Sequence, residues 1–212
     1  MYFKFVLLSL LFLISCSTVG DRLAEEAYSG NLDMVKTLSE KGQKNDARND
    51  KGWTALMAAS ESGEMLVVKY LLDTEANPNL RNALGDTAMH RATVRGNLEV
   101  IRSLHGAGAY PNLRNESGAT PLMKAVEEGT PKHKEIISFL VSAGANINDR
   151  DFDGNTALAR AVKKQNADMV KFLIGLKADP KAENKFGEPP MLAAKEAKNR
   201  EIIEILRSAG AK

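Results

Sequence analysis

The chain has 212 residues, of which 43% are hydrophobic and 26% are charged, proportions that are ordinary for a globular protein. Its 29 Lys and Arg residues nearly balance its 27 Asp and Glu residues, and the formal net charge is +2. A nucleic-acid-binding protein normally shows a strong basic excess, so this balance argues against a nucleic-acid partner. The single cysteine, Cys16, excludes a disulfide bond within the chain.

The first residues follow the pattern of a secretory leader. Lys4 precedes an apolar run from Phe5 to Ile14, in which Ser9 is the only polar residue. A run of this length is too short to span a bilayer and is typical of a signal peptide. The run ends in Leu13-Ile14-Ser15-Cys16, which resembles the lipobox of bacterial lipoproteins.

That resemblance implies a signal peptide at residues 1–15, cleavage before Cys16, acylation of Cys16 and a short linker from 16 to 20. It places the protein in the bacterial cell envelope, attached to a membrane through the lipid on Cys16. Ser17, and not an aspartate, follows the cysteine. By similarity to enterobacterial lipoproteins, this favours the outer membrane. An uncleaved anchor and an ordinary signal peptide with a chance cysteine are the alternatives.

A motif that begins with glycine recurs through the rest of the chain. The glycines at positions 52, 85, 118, 154 and 187 are separated by 33, 33, 36 and 33 residues. The threonine two residues after each of the first four glycines can cap a helix through its hydroxyl group. A second series of leucines, at positions 38, 71, 104, 140, 173 and 206, has the same spacing. This period predicts an architecture of stacked repeats.

The best copy of the motif, Gly118-Ala119-Thr120-Pro121-Leu122-Met123-Lys124-Ala125, resembles the ankyrin repeat. The resemblance implies an all-α solenoid of about six helix–turn–helix repeats, joined by hairpin-like loops, over residues 21–212. The repeats would lie at about 21–49, 50–82, 83–115, 116–150, 151–183 and 184–212. The first repeat lacks the Gly-x-Thr turn and the last ends the array, as expected for polar terminal caps.

Two repeats depart from the regular pattern. Repeat 4 carries an insertion, Glu128 to His133, between its two helices. Since a longer surface turn costs little free energy, we interpret this insertion as a tolerated lengthening of the turn, with a functional role left open. In repeat 5, Gln165-Asn166 replaces the inter-helix glycine, and we expect Asn166 to adopt the left-handed conformation.

A basic residue lies four positions before the glycine of four repeats. A ladder of this kind could bind a polyanion, but such a residue is common at this position in ankyrin repeats, and acidic residues lie beside it. We therefore favour a structural role for the ladder. Its members are Arg48, Arg81, Arg114 and Arg150.

The chain contains no phosphate-binding loop, no nucleophile elbow and no metalloprotease or paired-cysteine motif. His90 occupies the position at which ankyrin repeats use histidine for hydrogen bonds that support the loops. We predict no catalytic residue, no metal site and no cofactor, and hence a protein that is not an enzyme. An enzyme with an unfamiliar site would need titratable groups that converge on one pocket.

Ankyrin proteins bind partners through loop tips and the exposed side of the first helix of each repeat. Counting along the repeats places large apolar residues there, and these are typical interface anchors. Scattered surface aromatic residues are the alternative. The predicted partner-binding residues are Tyr28, Trp53, Leu84, Val94, Arg95, Phe152, Lys163 and Phe186. The same count places Glu61, Asp86 and Asn155 on this exposed side.

These observations together predict a membrane-anchored envelope lipoprotein that binds another protein through a preformed surface, without catalysis. We expect the protein to be a monomer. The alternative is an inhibitor or immunity-type protein that blocks an enzyme acting on the envelope.

Overall fold

The computed structural model describes residues 19–41 and 45–211, and these ranges hold twelve α-helices and no β-strand. The predicted signal peptide and Cys16 lie outside the described residues. The helices are α1 (Val19–Tyr28), α2 (Leu32–Glu40), α3 (Ala55–Ser62), α4 (Met65–Asp73), α5 (Ala88–Arg95), α6 (Leu98–Gly106), α7 (Pro121–Glu128), α8 (Pro131–Ser142), α9 (Ala157–Lys163), α10 (Ala167–Gly175), α11 (Pro190–Glu196) and α12 (Arg200–Ser208).

The helices form two layers. Each odd-numbered helix packs against the next odd-numbered helix, from α1 to α11, and each pairs with the even-numbered helix that follows it. Contacts also join α2 to α4, α4 to α6 and α10 to α12 in the second layer. This arrangement confirms the predicted solenoid of six helix–turn–helix repeats.

Threonine caps set the start of four first-layer helices, as the motif predicts. The hydroxyl oxygens of Thr54, Thr87, Thr120 and Thr156 each accept a hydrogen bond from the backbone N–H three residues later, at 3.3–3.5 Å. Each bond satisfies one of the N–H groups that a helix leaves unpaired at its start. In repeat 6, Pro189 replaces the threonine, and α11 has no side-chain cap.

The core runs without interruption through the stack. A fully buried alanine lies in each first-layer helix from α3 to α11, and its small side chain permits close packing of neighbouring helices. These residues are Ala59, Ala92, Ala125, Ala161 and Ala194. Fully buried leucines anchor the second-layer helices from α4 to α12, at positions 71, 104, 140, 173 and 206. The repeats therefore share one hydrophobic core.

The insertion in repeat 4 forms an extra helical turn, and not the longer surface turn that we expected. Gly129 ends α7 with a φ of 62°, Thr130 adopts an extended conformation and Pro131 begins α8. Helix α8 has 12 residues, whereas α6 and α10 each have 9. Because three residues nearly complete one turn, the apolar residues that follow keep their orientation toward the core.

One other expectation about local structure is wrong. Gln165, with a φ of 57°, and not Asn166, adopts the left-handed conformation in repeat 5. Asn166 instead caps α10, since its side-chain oxygen accepts a hydrogen bond from the N–H of Met169 at 2.9 Å. Helix α1 begins at Val19, inside the segment that we assigned to a linker.

None of the helices in the described ranges is both long enough and apolar enough to cross a membrane.

Candidate functional site

Large apolar side chains lie exposed at the tips of the loops that precede the first-layer helices. Leu84, Phe152 and Phe186 expose 63%, 62% and 70% of their surface, respectively. They occupy loops of repeats 3, 5 and 6, and we call these three residues the loop ridge. Their exposure agrees with the positions that the sequence predicts for them.

Each of these loops is held by an asparagine or aspartate three residues before the repeat glycine. The side-chain oxygen of this residue accepts hydrogen bonds from the N–H groups two and four residues later. In repeat 6, for example, Asn184 accepts from Phe186 at 2.9 Å and from Glu188 at 3.1 Å. The residues that do this are Asn49, Asn82, Asn115, Asp151 and Asn184. We missed these residues in the sequence, although their spacing repeats with that of the glycines.

Backbone hydrogen bonds join neighbouring loop tips. The N–H of Glu116 donates to the carbonyl of Leu84 at 2.9 Å, and the N–H of Phe152 donates to Ser117 at 3.3 Å. Phe152 also lies over Gly118, where an added Cβ atom would be 2.8 Å from the ring carbon Cδ1. Gly118 has a φ of 79°, so this position favours glycine for two reasons. The loop ridge is thus fixed before any partner arrives.

The arginine ladder connects repeats and does not form a free basic surface. Arg81 donates from Nη2 to the carbonyl of Arg114 at 2.7 Å. Arg48 and Arg150 make the same bond to the carbonyls of Arg81 and Glu183, also one repeat ahead. Arg114 pairs instead with Asp149, at 3.4 Å. These contacts support the structural role that we favoured over polyanion binding.

Trp53 does not lie at a loop tip as predicted. Its side chain is half-buried and packs against the hydrophobic core, because its position one residue after the glycine points toward the helices. Of the equivalent positions in later repeats, Asp86, Ala119 and Asn155 are buried, and Glu188 in the terminal repeat is exposed. The guanidinium carbon of Arg91 lies 4.5 Å from the centre of the Trp53 ring.

Glu61 and Asp86, which we expected to be exposed, are buried in a charged network around Arg91. Glu61 Oε2 accepts from Arg91 Nε at 3.0 Å and Nη2 at 2.6 Å, and Glu61 Oε1 accepts from Arg95 Nη2 at 2.7 Å. Arg91 Nη1 also donates to Asp86 at 3.2 Å. The hydrogen bonds that Arg95 donates to Glu61 raise the pKa of Arg95. Arg95 is exposed, as predicted, but its direction is set by Glu61.

A second network lies two repeats further along the stack. Arg160 donates to Asp151 Oδ2 from Nη2 at 2.6 Å and also pairs with Glu127. Lys163, a predicted partner-binding residue, donates to the side chain of Asn155 at 2.8 Å. Asn155 is buried, contrary to expectation. Exposed Lys163 therefore already has an intramolecular partner.

Tyr28 and Val94 are the other predicted partner-binding residues. Tyr28, at the end of α1, exposes 49% of its surface, whereas Val94 is half-buried. Tyr28 and Trp53 line a cavity of about 280 Å³ between α1 and the loop before α3. The structure thus groups the predicted residues into the loop ridge, the charged networks and this cavity, and does not form one continuous stripe.

The charged side chains of these networks bind one another and do not converge on a reaction centre. Among residues 19–41 and 45–211, no group of three or more His, Cys, Asp or Glu residues is arranged to hold a metal ion. The arrangement is suited to recognition of a partner. It presents exposed apolar side chains on ordered loops and charged side chains whose directions are set by intramolecular hydrogen bonds.

Comparisons with known proteins agree with this architecture. A family model described as ankyrin repeats in three copies matches residues 23–115 and 95–184. An ankyrin repeat domain from Acinetobacter baumannii AYE superposes with a TM-score of 0.77 at 30% identity, covering 90% of this chain and 98% of that one. The human ASB11 ankyrin repeat domain gives the same TM-score at 28% identity, covering 90% of this chain and 84% of that one.

Curated relatives match shorter segments. A putative ankyrin repeat protein of Acanthamoeba polyphaga mimivirus is 36% identical over 74 residues, which are 35% of this chain and 10% of that protein. An intracellular phospholipase A2 of Caenorhabditis elegans is 37% identical over 90 residues, which are 39% of this chain and 8% of the enzyme. The chain therefore spans only a small part of these relatives.

Proposed function

The chain belongs to the ankyrin-repeat family, and from this premise we propose that it is a protein-binding module held at a bacterial envelope membrane by a lipid on Cys16. The loop ridge carries this proposal. Three large apolar side chains, Leu84, Phe152 and Phe186, remain exposed on loops that the structure holds rigidly. Aromatic side chains such as Phe152 and Phe186 are enriched at the buried centres of interfaces, where a few residues supply most of the binding free energy.

The proposed mechanism is recognition by a preformed surface, and it includes no catalytic step. Loops that are already ordered lose little conformational entropy when a partner binds. Two exposed basic side chains, Arg95 and Lys163, would orient the partner through charge, although their own intramolecular bonds limit what they add.

The ridge is tested with substitutions that remove its apolar surface. We expect Phe152→Ser and Phe186→Ser each to weaken binding of a captured envelope partner at least about tenfold, since each removes an anchor. The matched control is Leu66→Ser: Leu66 exposes 71% of its surface but lies on α4, in the second layer. Capture and affinity measurement on all three variants form the experiment. Equal losses for Leu66→Ser and the two phenylalanine variants would contradict a role for the ridge.

The anchor is tested separately. The leader sequence and the position of Cys16 support lipid attachment, with the outer membrane favoured. We expect Cys16→Ala to abolish incorporation of labelled fatty acid and to move the protein from the membrane fraction to the soluble fraction, because stable anchoring requires acyl chains. A variant that still incorporates the label would show that Cys16 is not the attachment site.

The same capture decides the inhibitor alternative. If the partner is an envelope-acting enzyme that loses activity in proportion to its occupancy by the protein, then binding serves inhibition. A partner whose activity is unchanged, or which has none, would make the protein an adaptor.

A further inference from the structure

The cavity beside Tyr28 and Trp53 lies at the N-terminal end of the stack, and we call it the repeat 1–2 pocket. Tyr28 of α1 and Trp53 form aromatic walls, and Ala58 of α3 lies between them. Ala58 is buried, and its side chain is too short to fill the space. Asp21 and Glu25, one turn apart on α1, contribute carboxylates to the same lining.

The other repeats show what normally occupies this position. Ala58, Arg91, Lys124 and Arg160 are separated by 33, 33 and 36 residues, the spacing of the repeat glycines, so they are equivalent. Each of the three cations contacts carboxylates. Arg91 binds Glu61 and Asp86, Lys124 binds Glu127 at 3.1 Å, and Arg160 binds Glu127 and Asp151. Alanine replaces the cation in repeat 2, at Ala58, and in repeat 6, at Ala193. The repeat 1–2 pocket lies at Ala58.

Two residues that line the pocket with Ala58, Tyr28 and Trp53, also differ from their equivalents in other repeats. Tyr28 is equivalent to Glu61 and Glu127, which bind the arginines of the next repeats. Trp53 is equivalent to Asp86, which binds Arg91. Aromatic rings thus occupy two positions at which a carboxylate binds the cation in other repeats: the position of Tyr28 is Glu61 in repeat 2 and Glu127 in repeat 4, and the position of Trp53 is Asp86 in repeat 3. Indole and phenol rings also attract cations, through the negative faces of their π-systems.

Charge at the pocket favours a positive guest. Asp21 and Glu25 bring two negative charges, and Lys51 brings one positive charge. Asp21 Oδ1 also accepts a hydrogen bond from the N–H of Asp50 at 3.3 Å, which fixes its position. The Trp53 ring already receives one guanidinium, that of Arg91. A planar guanidinium stacks on aromatic rings better than an ammonium group does.

We propose that the repeat 1–2 pocket receives an arginine side chain of the partner protein, which takes the place that Arg91 and Arg160 fill in later repeats. This inference rests on the proposed function as a protein-binding module, and it adds the chemistry of one anchor on the partner. The guanidinium would stack on Trp53, and its charge would be balanced by the carboxylate of Glu25.

Trp53 is the only tryptophan in the chain, so its fluorescence reports on this pocket alone. The experiment titrates the protein with N-acetyl-arginine amide, and with the leucine and glutamate amides as matched probes. We expect a saturable change in Trp53 fluorescence with the arginine compound and none with the other two. Free N-acetyl-tryptophan amide, titrated in parallel, corrects for collisional quenching.

Two variants test whether the fluorescence change arises from binding in the repeat 1–2 pocket. Ala58→Arg supplies the missing side chain from within and is expected to abolish the saturable change. Glu25→Gln should weaken binding of the arginine compound about threefold, the size expected for one partly exposed charge. The control is Glu196→Gln on α11, an exposed glutamate at the other end of the stack. Circular dichroism melting of each variant shows whether it folds, and Glu25→Gln serves as the test if Ala58→Arg does not.

The outcomes separate clearly. Binding of the leucine compound as strong as that of the arginine compound would overturn the proposal in favour of an apolar guest. An arginine response that survives both pocket variants would overturn it as non-specific. Because these titrations need no partner, their failure leaves the loop-ridge test untouched. Conversely, a loop ridge without effect on capture would remove the proposed function while the arginine titration stands.

Discussion

At the scale of single residues, His90 shows how burial controls a titratable group. Its ring is fully buried. Nδ1 accepts a hydrogen bond from the N–H of Thr87 at 3.2 Å, and Nε2 lies 3.1 Å from the carbonyl oxygen of Ala119 in the next repeat. The neutral ring with its hydrogen on Nε2 satisfies both partners. Burial lowers the pKa of His90 to about 4, because the charged form loses its hydration.

We expect the free energy of unfolding to decrease as the pH falls from about 6.5 to about 4. In this window the unfolded chain binds a proton at His90 and the folded chain does not, so acid favours unfolding. A pKa that falls from 6.5 to about 4 corresponds to a loss of up to about 3 kcal/mol. Burial also lowers the pKa of His133, which adds a loss of the same sign. Urea unfolding at several pH values measures the effect.

The matched variant for this prediction is His90→Met, because Met57 and Met123 occupy the equivalent positions of the neighbouring repeats. It removes the titrating group and keeps an apolar side chain that the fold accepts. We expect lower stability at pH 7, through the lost hydrogen bonds, but a weaker dependence on pH. A pH dependence that is the same in both proteins would show that other groups control acid unfolding.

At the scale of elements, the stack depends on side chains that reach from one loop to the next. Arg81 donates from Nη2 to the carbonyl of Arg114 and from Nε to the carbonyl of Gly85, at 2.7 and 3.2 Å. Asn79 adds a bond from Nδ2 to the carbonyl of Gly108 at 3.0 Å. These bonds satisfy loop carbonyls that no helix or strand would satisfy, and they set the spacing between repeats.

We expect Arg81→Ala to lower the free energy of unfolding by about 1 kcal/mol, the net value of a side-chain hydrogen bond to the backbone. The control is Arg207→Ala, whose side chain is exposed and forms only a surface pair with Glu204. Such a pair contributes little. Chemical denaturation compares the two. An Arg81→Ala variant as stable as the wild-type protein would contradict a connecting role for the arginine ladder.

The extra turn of α8 belongs to this scale as well. It brings His133 into the layer between repeats, where Nε2 lies 3.1 Å from the carbonyl oxygen of Thr93 and Nδ1 lies 2.6 Å from Thr130 Oγ1. Lys132 Nζ donates to the carbonyl of Arg95 at 2.6 Å, at the end of α5. The three inserted residues therefore add contacts between repeats 3 and 4 and strengthen that junction.

At the scale of the whole molecule, each repeat is buried only by its neighbours. A chain that ends after Asn115 would lose the packing of α5 against α7, the carbonyl of Ala119 that faces His90, and the contact of His133 with Thr93. We expect this fragment to be poorly soluble and to melt at a lower temperature than the full chain, because a repeat array needs a capped end. Sedimentation and circular dichroism melting measure both properties.

A chain that ends after Glu183 provides the comparison. It loses only α11 and α12, and four first-layer junctions remain intact. We expect it to fold, with a melting temperature between those of the shorter fragment and the full chain. If the fragment ending after Asn115 melted at the same temperature as the full chain, the repeats would not form one cooperative array.

The sequence by itself determined the repeats, the start of four first-layer helices and the buried leucines and alanines. These features follow from local rules: Thr54, Thr87, Thr120 and Thr156 cap the helices that they precede, and apolar side chains recur with the period of the stack. The exposure of Leu84, Phe152 and Phe186 could also be predicted, since positions near the repeat glycine lie on loops.

Only the tertiary structure decided how charged and aromatic side chains pair between repeats. Glu61 binds arginines 30 and 34 residues away, and Trp53 lies under Arg91 rather than at a loop tip. The period gives the position of each residue in its repeat, but the contacts between repeats depend on which side chain the next repeat places opposite. The pocket at Ala58 exists for this reason: its shape comes from a missing side chain, and its charge comes from the preceding helix.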